Sequence, residues 1–434
     1  MTLYYILHIV WGAVGIGYVL NSSLTPSKRW AWMLAMVICP AIATLLFWLT
    51  TLRHTHRATI SHAPHYNRLQ RTIIALTDSA ITTRNQTTAL HNAETTFSSI
   101  IRDLQHAREE IIFEYYIIDN DYLGSTIISL LCRRARAGVK VKIIYDAVGS
   151  WRLSNTLLNK MRESGIELHR FGKPCFPFLS PSCHRRNHRK MVIIDRHILY
   201  LGGINIASRY LGNGEMGFWR DDHIRIEGEA AYKAALNSQP SAKCNIKRQH
   251  ISSLCPMQPI FTTEKTPARA LEYILIEALA SARHSIRIAS PYFLPPSSLL
   301  DAICSAAQSG IEVTLLLPKK SDVAIAQLAS MPALRRCASC GVKIFNYTAG
   351  FLHSKIIIID EATTIIGSAN IDYRSLYYNY ESAVAIYHKP TAHHYTEQMM
   401  RDIKKAHPVE PQELQSSVLK RIKEGAAQLL APLL

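Results

Sequence analysis

The sequence predicts an α/β protein built from two homologous halves related by a pseudo-twofold axis. An eight-residue design occurs twice, as HRKMVIID from His188 and as HSKIIIID from His353. Each copy follows a strand, an amphipathic helix and a second strand in the same order, and each runs into a glycine-containing turn. Strand, helix and strand in that order predict right-handed parallel units within an α/β sheet. We therefore expect two α/β sandwich halves that pack as partners across a shared seam.

The repeat fixes the boundaries of the two halves. The first half is predicted over residues 96–228 and the second over residues 267–400, each with an apolar strand, IIFEYYIID or IRIASPYFL, near its start. Turn glycines at Gly138 and Gly310 precede the second strand of each unit. Residues 53–95 are interpreted as a juxtamembrane linker and residues 229–266 as a connection between the halves.

Two long apolar segments lie at the N-terminus. Residues 3–20 and 30–49 contain no Lys, Arg, Asp or Glu, and both approach the length of about 20 residues that spans a bilayer. Pro40 is expected to kink the second segment, which membrane helices tolerate. Residues 1–52 are therefore predicted to form a transmembrane helical hairpin. A cleaved signal peptide is the alternative for the first segment, but no Lys or Arg precedes its apolar region.

Charge and cysteine content restrict the partners and the compartment. A formal net charge of +17 favours anionic partners, either nucleic acid or a negatively charged membrane surface. Nine cysteines without a disulfide framework indicate a reducing compartment. Two basic residues between the apolar segments, against three soon after them, nearly balance under the positive-inside rule. Together with the cysteines, they favour a cytoplasmic catalytic domain.

The repeated strands bring a histidine and a lysine to the same face. Side chains two apart on a strand share a face, so His188 points the same way as Lys190, and His353 the same way as Lys355. A lysine neutralises phosphate oxygens and stabilises a five-coordinate phosphorus. A histidine, with a pKa near neutrality, can attack phosphorus or deliver a proton. Two histidines on opposite sides of one phosphodiester supply both a nucleophile and a general acid, so the two copies are predicted to form one site.

The duplicated pattern resembles the motif of the phospholipase D superfamily, H-x-K-x-x-x-x-D-x-x-x-x-x-x-G-[GS]-x-N. The matching residues are His188, Lys190, Asp195, Gly202, Gly203 and Asn205, and then His353, Lys355, Asp360, Gly367, Ser368 and Asn370. Within that superfamily the chain is most similar to bacterial cardiolipin synthases. The segments that carry this likeness are the paired apolar segments, RNHRK, WRDDHIRIEG, SPYFLPP, LLLPKKSD, GFLHSK and GSANIDYRSLYYNYE.

The resemblance implies a ping-pong phosphatidyl transfer without a metal or another cofactor. One phosphatidylglycerol would form a phosphatidyl-histidine with release of glycerol, and a second would accept the phosphatidyl group. It implies His188 as nucleophile and His353 as acid and then base, with the partners an anionic phospholipid and the bacterial inner membrane.

The resemblance also implies supporting roles. Residues expected to contact the phosphate are Lys190, Lys355, Asn205, Asn370 and Ser368. Asp195 and Asp360 belong to the catalytic motif, but their odd offset from the histidines predicts that they organise the strand ends. Asp221 and Glu381 match acidic positions that orient the histidines, with plain surface charge as the alternative.

Several alternatives stay open. The connection over residues 229–266 is polar and lacks the F-x-x-D-W helix usual in these synthases, so the acceptor could differ. A phospholipase D that uses water, a transferase with another alcohol, a nuclease and a non-catalytic scaffold are the competing functions. Residues 401–434 are predicted to contain an amphipathic helix that lies at a membrane interface or packs on the body. The sequence does not distinguish a monomer from a dimer.

Overall fold

The structure is a computed structural model that describes residues 2–22, 26–51, 66–172, 185–238 and 254–431. The described residues up to position 51 form one compact unit, and those from position 66 onward form a second, larger unit. The larger unit, here called the body, contains both halves of the repeat.

The N-terminal unit consists of helices α1 (Thr2–Leu20), α2 (Pro26–Ile38) and α3 (Pro40–Thr51). The second predicted segment is interrupted at Cys39, because Pro40 has no N–H to donate. Cys39 N–H still donates to Ala35 O at 2.9 Å, and Ala43 N–H donates to Cys39 O at 2.9 Å. Within the described residues, no helix combines the length and hydrophobicity needed to cross a bilayer.

The body alternates strands and helices along the chain. Its elements are α4 (Arg68–Thr77), β1 (Thr82–Asn92), α5 (Ala93–His106), β2 (Glu110–Tyr115), α6 (Tyr122–Arg136), β3 (Lys140–Asp146), α7 (Asn155–Glu163), β4 (Glu167–Phe171), β5 (Lys190–Ile194), β6 (Ile198–Gly202), β7 (Trp219–Gly228), α8 (Glu229–Ser238), β8 (Leu254–Phe261), α9 (Ala270–Ala280), β9 (Ser285–Ala289), α10 (Ser297–Gln308), β10 (Glu312–Pro318), α11 (Ala324–Ser339), β11 (Lys343–Tyr347), β12 (Phe351–Leu352), β13 (Ile356–Ile359), β14 (Thr363–Gly367), α12 (Tyr373–Tyr377), β15 (Ser382–Ile386), α13 (Lys389–Ile403), β16 (Ala406–Pro408) and α14 (Val418–Leu429). A short 3-10 helix, Ser208–Leu211, lies between β6 and β7.

The strands of both halves join in one sheet, which has 16 strands over the described ranges. Its order is β16-β11-β10-β9-β13-β14-β15-β8-β1-β7-β6-β5-β2-β3-β4, and β12 pairs with β7. The run β7-β6-β5-β2-β3-β4 of the first half is repeated as β15-β14-β13-β9-β10-β11 in the second. Strands β2, β3 and β4 are parallel, as are β9, β10 and β11. The duplicated α/β halves are therefore present, but as one continuous sheet rather than two separate ones.

Two central strands come from segments that the sequence analysis interpreted as connections. Strand β1 lies within residues 53–95 and pairs with β7, while β8 lies within residues 229–266 and pairs with β15 and β1. The sequence of β1, TTRNQTTALHN, hides this role because polar side chains, Thr82 and Asn85, occupy two of its three buried positions. Asn85, fully buried, donates to Cys255 O at 3.1 Å and accepts from Ala230 N–H at 2.8 Å. Hydrogen bonding here replaces the apolar alternation that marks an ordinary strand.

A hydrophobic core shared by both halves fixes the relative position of the repeated strands. Met191 and Ile193 of β5 belong to one buried cluster with Ile356 and Ile358 of β13. The helices α8 and α13 contribute alanine, tyrosine and methionine side chains to the same cluster. Alternate residues of the two strands face a separate core in each half. The beginnings of β5 and β13, where the H-x-K residues lie, are thus held at a shared seam.

Candidate active site

Each H-x-K segment is anchored to the opposite half of the body. His188 N–H donates to Tyr380 O at 2.9 Å, and His353 N–H donates to Arg220 O at 2.7 Å. Strand β12, just before His353, runs parallel to the start of β7 and pairs with it. Both connections cross the seam, so neither histidine is positioned by its own half alone.

The carboxylates that hold the histidines are also exchanged between the halves. His188 Nδ1 lies 2.9 Å and 3.1 Å from the two carboxylate oxygens of Glu381, and His353 Nδ1 lies 2.6 Å from Asp221 Oδ2. Both carboxylates are buried, which excludes the surface-charge alternative. A bond of this type fixes the tautomer and leaves Nε2 of each ring for chemistry.

The two lysines are buried beside the histidines. Lys355 Nζ lies 2.9 Å from His353 Nδ1 and also donates to His353 O, while Lys190 Nζ donates to His188 O at 2.7 Å. Burial lowers the pKa of Lys190 to about 7 and that of Lys355 to about 8, because an ammonium group loses hydration inside the protein. An anionic phosphate bound here would restore their charge.

The ionisable groups of the two halves act on one another as a single cluster. Burial lowers the pKa of His353, and the charges of Lys355, Lys190 and His188 lower it further. Burial also lowers the pKa of His188, which Glu381 opposes and Lys190 and Lys355 reinforce. These effects require proximity across the seam, because charge interactions weaken with distance. The structure therefore brings both predicted pairs to one place.

The two histidine–carboxylate pairs differ in the ionisation of the carboxylate. Burial raises the pKa of Asp221 to about 6. Burial also opposes ionisation of Glu381, but the charge of His188, its hydrogen bond and the charge of Lys190 outweigh this effect, so the pKa of Glu381 is lowered. Glu381 is thus the more firmly ionised partner.

Gly203 and Ser368, at equivalent motif positions, account for part of this difference. The Ser368 hydroxyl donates to Glu381 and accepts from Ser382 N–H at 3.0 Å. A Cβ on Gly203 would lie 2.2 Å from the Asp221 carboxylate, so only glycine fits beside this aspartate. The Ser368 hydroxyl is directed at Glu381, and its expected contact with a phosphate stays a prediction.

The two motif asparagines are buried, and one of them bonds a tyrosine that lies beside His353. Asn205 accepts from Ile117 N–H at 3.2 Å and donates to the hydroxyl of Tyr210, whose ring centroid is 5.7 Å from that of His353. Asn370 is buried, and its Oδ1 has no hydrogen-bond partner among the described residues. A buried amide with unused capacity is a group that a ligand can satisfy.

Asp195 and Asp360 are not brought to the histidines. Asp195 accepts backbone N–H groups of residues 108–110 at 2.7–2.9 Å, and Asp360 accepts those of residues 283–285 at 2.8 Å. Both lie at the far ends of the H-x-K strands, in left-handed turns with φ of 49° and 51°. Their inclusion among the catalytic residues is corrected: each carboxylate ties a strand end to the neighbouring strand, as the odd offset predicts.

Aromatic side chains that the sequence analysis did not single out surround the histidines. The ring of Tyr116 lies 4.9 Å from that of His188 and 5.3 Å from Lys190 Nζ, centroid distances in both cases. The ring of Trp219 lies 5.2 Å from that of His353. Tyr116 belongs to the repeated strand segment IIFEYYIID and Trp219 to WRDDHIRIEG, which carried the resemblance, but only their three-dimensional placement reveals the contact. Each of these rings packs against one of the two histidines.

Two H-x-K strands that meet in one buried cluster place the chain in the phospholipase D class of enzymes. Comparison with known proteins agrees. Residues 100–234 and 275–403 match the profile of a family described as cardiolipin synthase, PLD-like domain.

Individual proteins make the relationship more specific. The cardiolipin synthase of Geobacillus kaustophilus is 36% identical over 386 residues, covering 86% of this chain and 77% of that protein. Cardiolipin synthase 1 of Bacillus cereus is 30% identical and covers 100% of this chain and 95% of that protein. The fold is also similar to the crystal structure of phosphatidylserine synthase from Haemophilus influenzae, with a TM-score of 0.64 at 14% identity, covering 85% of this chain and 100% of that one. The chain belongs to the cardiolipin synthase family with phospholipase D-like domains.

Proposed function

We propose that this enzyme transfers a phosphatidyl group from one phosphatidylglycerol to another, with release of glycerol. The observation that carries the proposal is the crossed pairing of His188 with Glu381 and of His353 with Asp221, next to two buried lysines. Such a cluster suits a phosphodiester because cations offset the charge of the non-bridging oxygens and each imidazole has one free nitrogen. The names of the relatives supply the substrate.

We assign the nucleophile to His188. Its pKa is lowered, so the ring is neutral at physiological pH, and the ionised Glu381 stabilises the cationic phosphoimidazole that attack creates. His188 Nε2 attacks phosphorus, a P–N bond forms, and the bond from phosphorus to the glycerol oxygen breaks. His353 gives its Nε2 proton to that oxygen, and the negative phosphate between the lysines raises the pKa of His353 toward this task.

The second half-reaction reverses these roles. A hydroxyl of the second phosphatidylglycerol gives its proton to His353 Nε2 and attacks phosphorus. The P–N bond breaks, and the electron pair returns to His188 Nε2. Lys190, Lys355, Asn205 and Asn370 hold the phosphate oxygens in both steps.

We further propose that the N-terminal helices anchor the chain in the bacterial inner membrane as a hairpin, with the body on the cytoplasmic side. The support is apolar surface: Ile9, Val10, Leu34, Ile38 and Ile42 all have exposed side chains. Burying such residues in lipid removes them from water. Extraction of cell membranes with alkaline carbonate should leave the full chain in the pellet, and protease should reach the body only after the inner membrane is opened.

The reaction is tested with the purified full-length chain in phosphatidylglycerol vesicles, without added metal, with the products identified by mass spectrometry. Cardiolipin and glycerol in equal amounts are expected. Phosphatidic acid as the sole lipid product would make the enzyme a hydrolase. Cleavage of single-stranded DNA without lipid turnover would favour a nuclease, and either result would overturn the proposal.

A further inference from the structure

The C-terminal helix α14 exposes its apolar side. Val418, Leu419, Ile422 and Leu429 are 76%, 65%, 63% and 82% exposed. With 3.6 residues per turn, these four positions fall within one stripe of about 100°. Over the residues that the structure describes, this stripe is left uncovered.

The side of α14 that contacts the body is polar or small. Glu424 is fully buried, bonded to Arg335 Nη2 at 2.6 Å and to Ser416 Oγ at 2.8 Å. Ala427 and Ala431 complete the contact. A surface helix normally turns its apolar stripe toward the core, so α14 is attached in the opposite sense. Large exposed apolar side chains grouped in this way mark an interaction surface.

The charge of α14 favours an anionic partner. Its sequence, VLKRIKEGAAQL, has three basic residues, Lys420, Arg421 and Lys423, and one acidic residue, Glu424. Because Glu424 is paired with Arg335, the solvent-facing side of the helix carries only positive charge. An apolar stripe with flanking Lys and Arg is the pattern of helices that lie in the headgroup region of anionic bilayers.

The last turn of α14 adjoins the loops that form the candidate site. Ala427 and Ala431 share a buried cluster with Leu294. Leu294 N–H donates to Ile371 O at 2.7 Å, and Ile371 directly follows Asn370. The buried side of this turn is therefore linked through Leu294 to the backbone that carries a proposed phosphate ligand.

We propose that α14 docks on the surface of an anionic bilayer, with Val418, Ile422 and Leu429 inserted among the lipid headgroups and acyl chains. The docked helix holds the candidate site at the level where a phospholipid phosphodiester lies. This second statement rests on the proposed function, whereas the docking itself does not.

Docking is tested by site-specific photo-crosslinking of the full-length chain, with a benzophenone amino acid at Ile422 and, as matched control, at Gln428 on another side of the helix. In phosphatidylglycerol vesicles, mass spectrometry should find lipid adducts at position 422 and few at position 428. Adducts to a second copy of the chain at position 422, or no adduct there, would overturn the proposal. Turnover is not needed for this readout.

A kinetic test addresses the consequence for the site. The double variant Ile422→Asp/Leu429→Asp is compared with Gln415→Asp/Gln428→Asp, which adds the same charge outside the stripe. With phosphatidylglycerol diluted into phosphatidylcholine vesicles, we expect the stripe variant to raise the apparent surface KM about tenfold, since two inserted side chains are lost, with kcat unchanged. An equal rise in the control, or no rise in the stripe variant, would contradict the inference. If the wild type itself shows no lipid turnover, the proposed function fails while the crosslinking result still decides the docking.

Discussion

At the level of single residues, the two histidine–carboxylate pairs reach similar geometry with different side chains. The first half combines Gly203 with Asp221, and the second combines Ser368 with the longer Glu381. Glycine leaves space for a carboxylate close to the strand, whereas serine donates a hydrogen bond to one that reaches farther. The two halves have therefore diverged in a way that favours ionisation of Glu381.

Ser368→Ala should lower kcat about tenfold, because one hydrogen bond to a charged group is worth about 1.5–3 kcal/mol and its loss lets Glu381 shift. Removing the bond also raises the pKa of Glu381, so the loss should grow as pH falls. The pH profile of kcat measures this effect. Ser368→Thr should restore activity, and Ser339→Ala, on the exposed side of α11, serves as the control. A uniform loss at every pH would indicate a merely structural role.

The two lysines predict the basic side of the pH profile. With pKa values lowered to about 7 and about 8, Lys190 and Lys355 lose their charge in the free enzyme as pH rises through that range. An uncharged amine binds a phosphodiester weakly, so kcat/KM should fall above about pH 7–8. Bound substrate raises both pKa values, so kcat should fall only at higher pH. If kcat/KM stays flat to pH 10, these lysines are charged throughout and the assignment is wrong.

The sequence was sufficient to find the groups that meet at the seam and insufficient to describe how they are held. His188, Lys190, His353 and Lys355 follow from the period of a strand, which fixes which side chains share a face. The partner of each histidine lies more than 100 positions away in the chain, at Glu381 or Asp221. These contacts are visible only in the structure, where β12 and the segment before β5 each cross to the opposite half. A spacing rule within one motif carries no such information.

At the level of elements, β7 serves both sides of the sheet. Asp221 faces His353, while the neighbouring Arg220 forms ion pairs with Asp222 at 2.9 Å and Asp402 at 2.8 Å. These ion pairs are buried, and Asp222 also accepts from the hydroxyl of Ser354. Strand β7 therefore carries Asp221, which bonds His353, and also Arg220, whose ion pair with Asp402 joins the two halves.

Arg220→Met should destabilise the body by about 3–5 kcal/mol, because it leaves two buried carboxylates without their cation. The matched control is Arg68→Met, which removes an arginine whose side chain is 77% exposed in its pair with Glu277. An exposed pair is worth about 0–1 kcal/mol. Urea unfolding of both variants, followed by circular dichroism, compares them. Equal shifts would show that the buried network contributes no more than a surface pair.

The composition of the central strands β1 and β8 explains why the sequence did not predict them as strands. β1 has polar side chains at buried positions, and β8 contains Pro256 and Pro259, which usually argue against a central strand. The register between β1 and β8 is short and irregular, with pairs only at Thr82–Met257 and Arg84–Leu254. Pro259 lies beyond this contact, where no residue of β1 is paired with β8 in the described part of the chain, so its missing N–H breaks no pairing on that side. Local patterns therefore described the repeats well and the junction between them poorly.

At the level of the whole molecule, the duplicated halves exchange the carboxylate partners of their motif histidines. Each half supplies one histidine, one lysine and the carboxylate for the histidine of the other half. Neither motif histidine, His188 or His353, is paired with a carboxylate of its own half. In the proposed mechanism the two imidazoles divide the roles of nucleophile and acid, and their different carboxylate partners support that proposal.

Loss of either histidine should therefore abolish turnover, and two inactive chains should not rescue each other. His188→Ala and His353→Ala are each expected to fall below about a thousandth of wild-type kcat, and the double variant should be no worse, since residues that act as one unit are not additive. The two single variants, co-expressed and purified together, should remain inactive because both histidines of a site come from one chain. Product formation by mass spectrometry measures this, with wild type mixed with His188→Ala as the control for assembly. Recovery of activity in the mixture would mean that the histidines of different chains meet, and the intramolecular seam would not be the catalytic one.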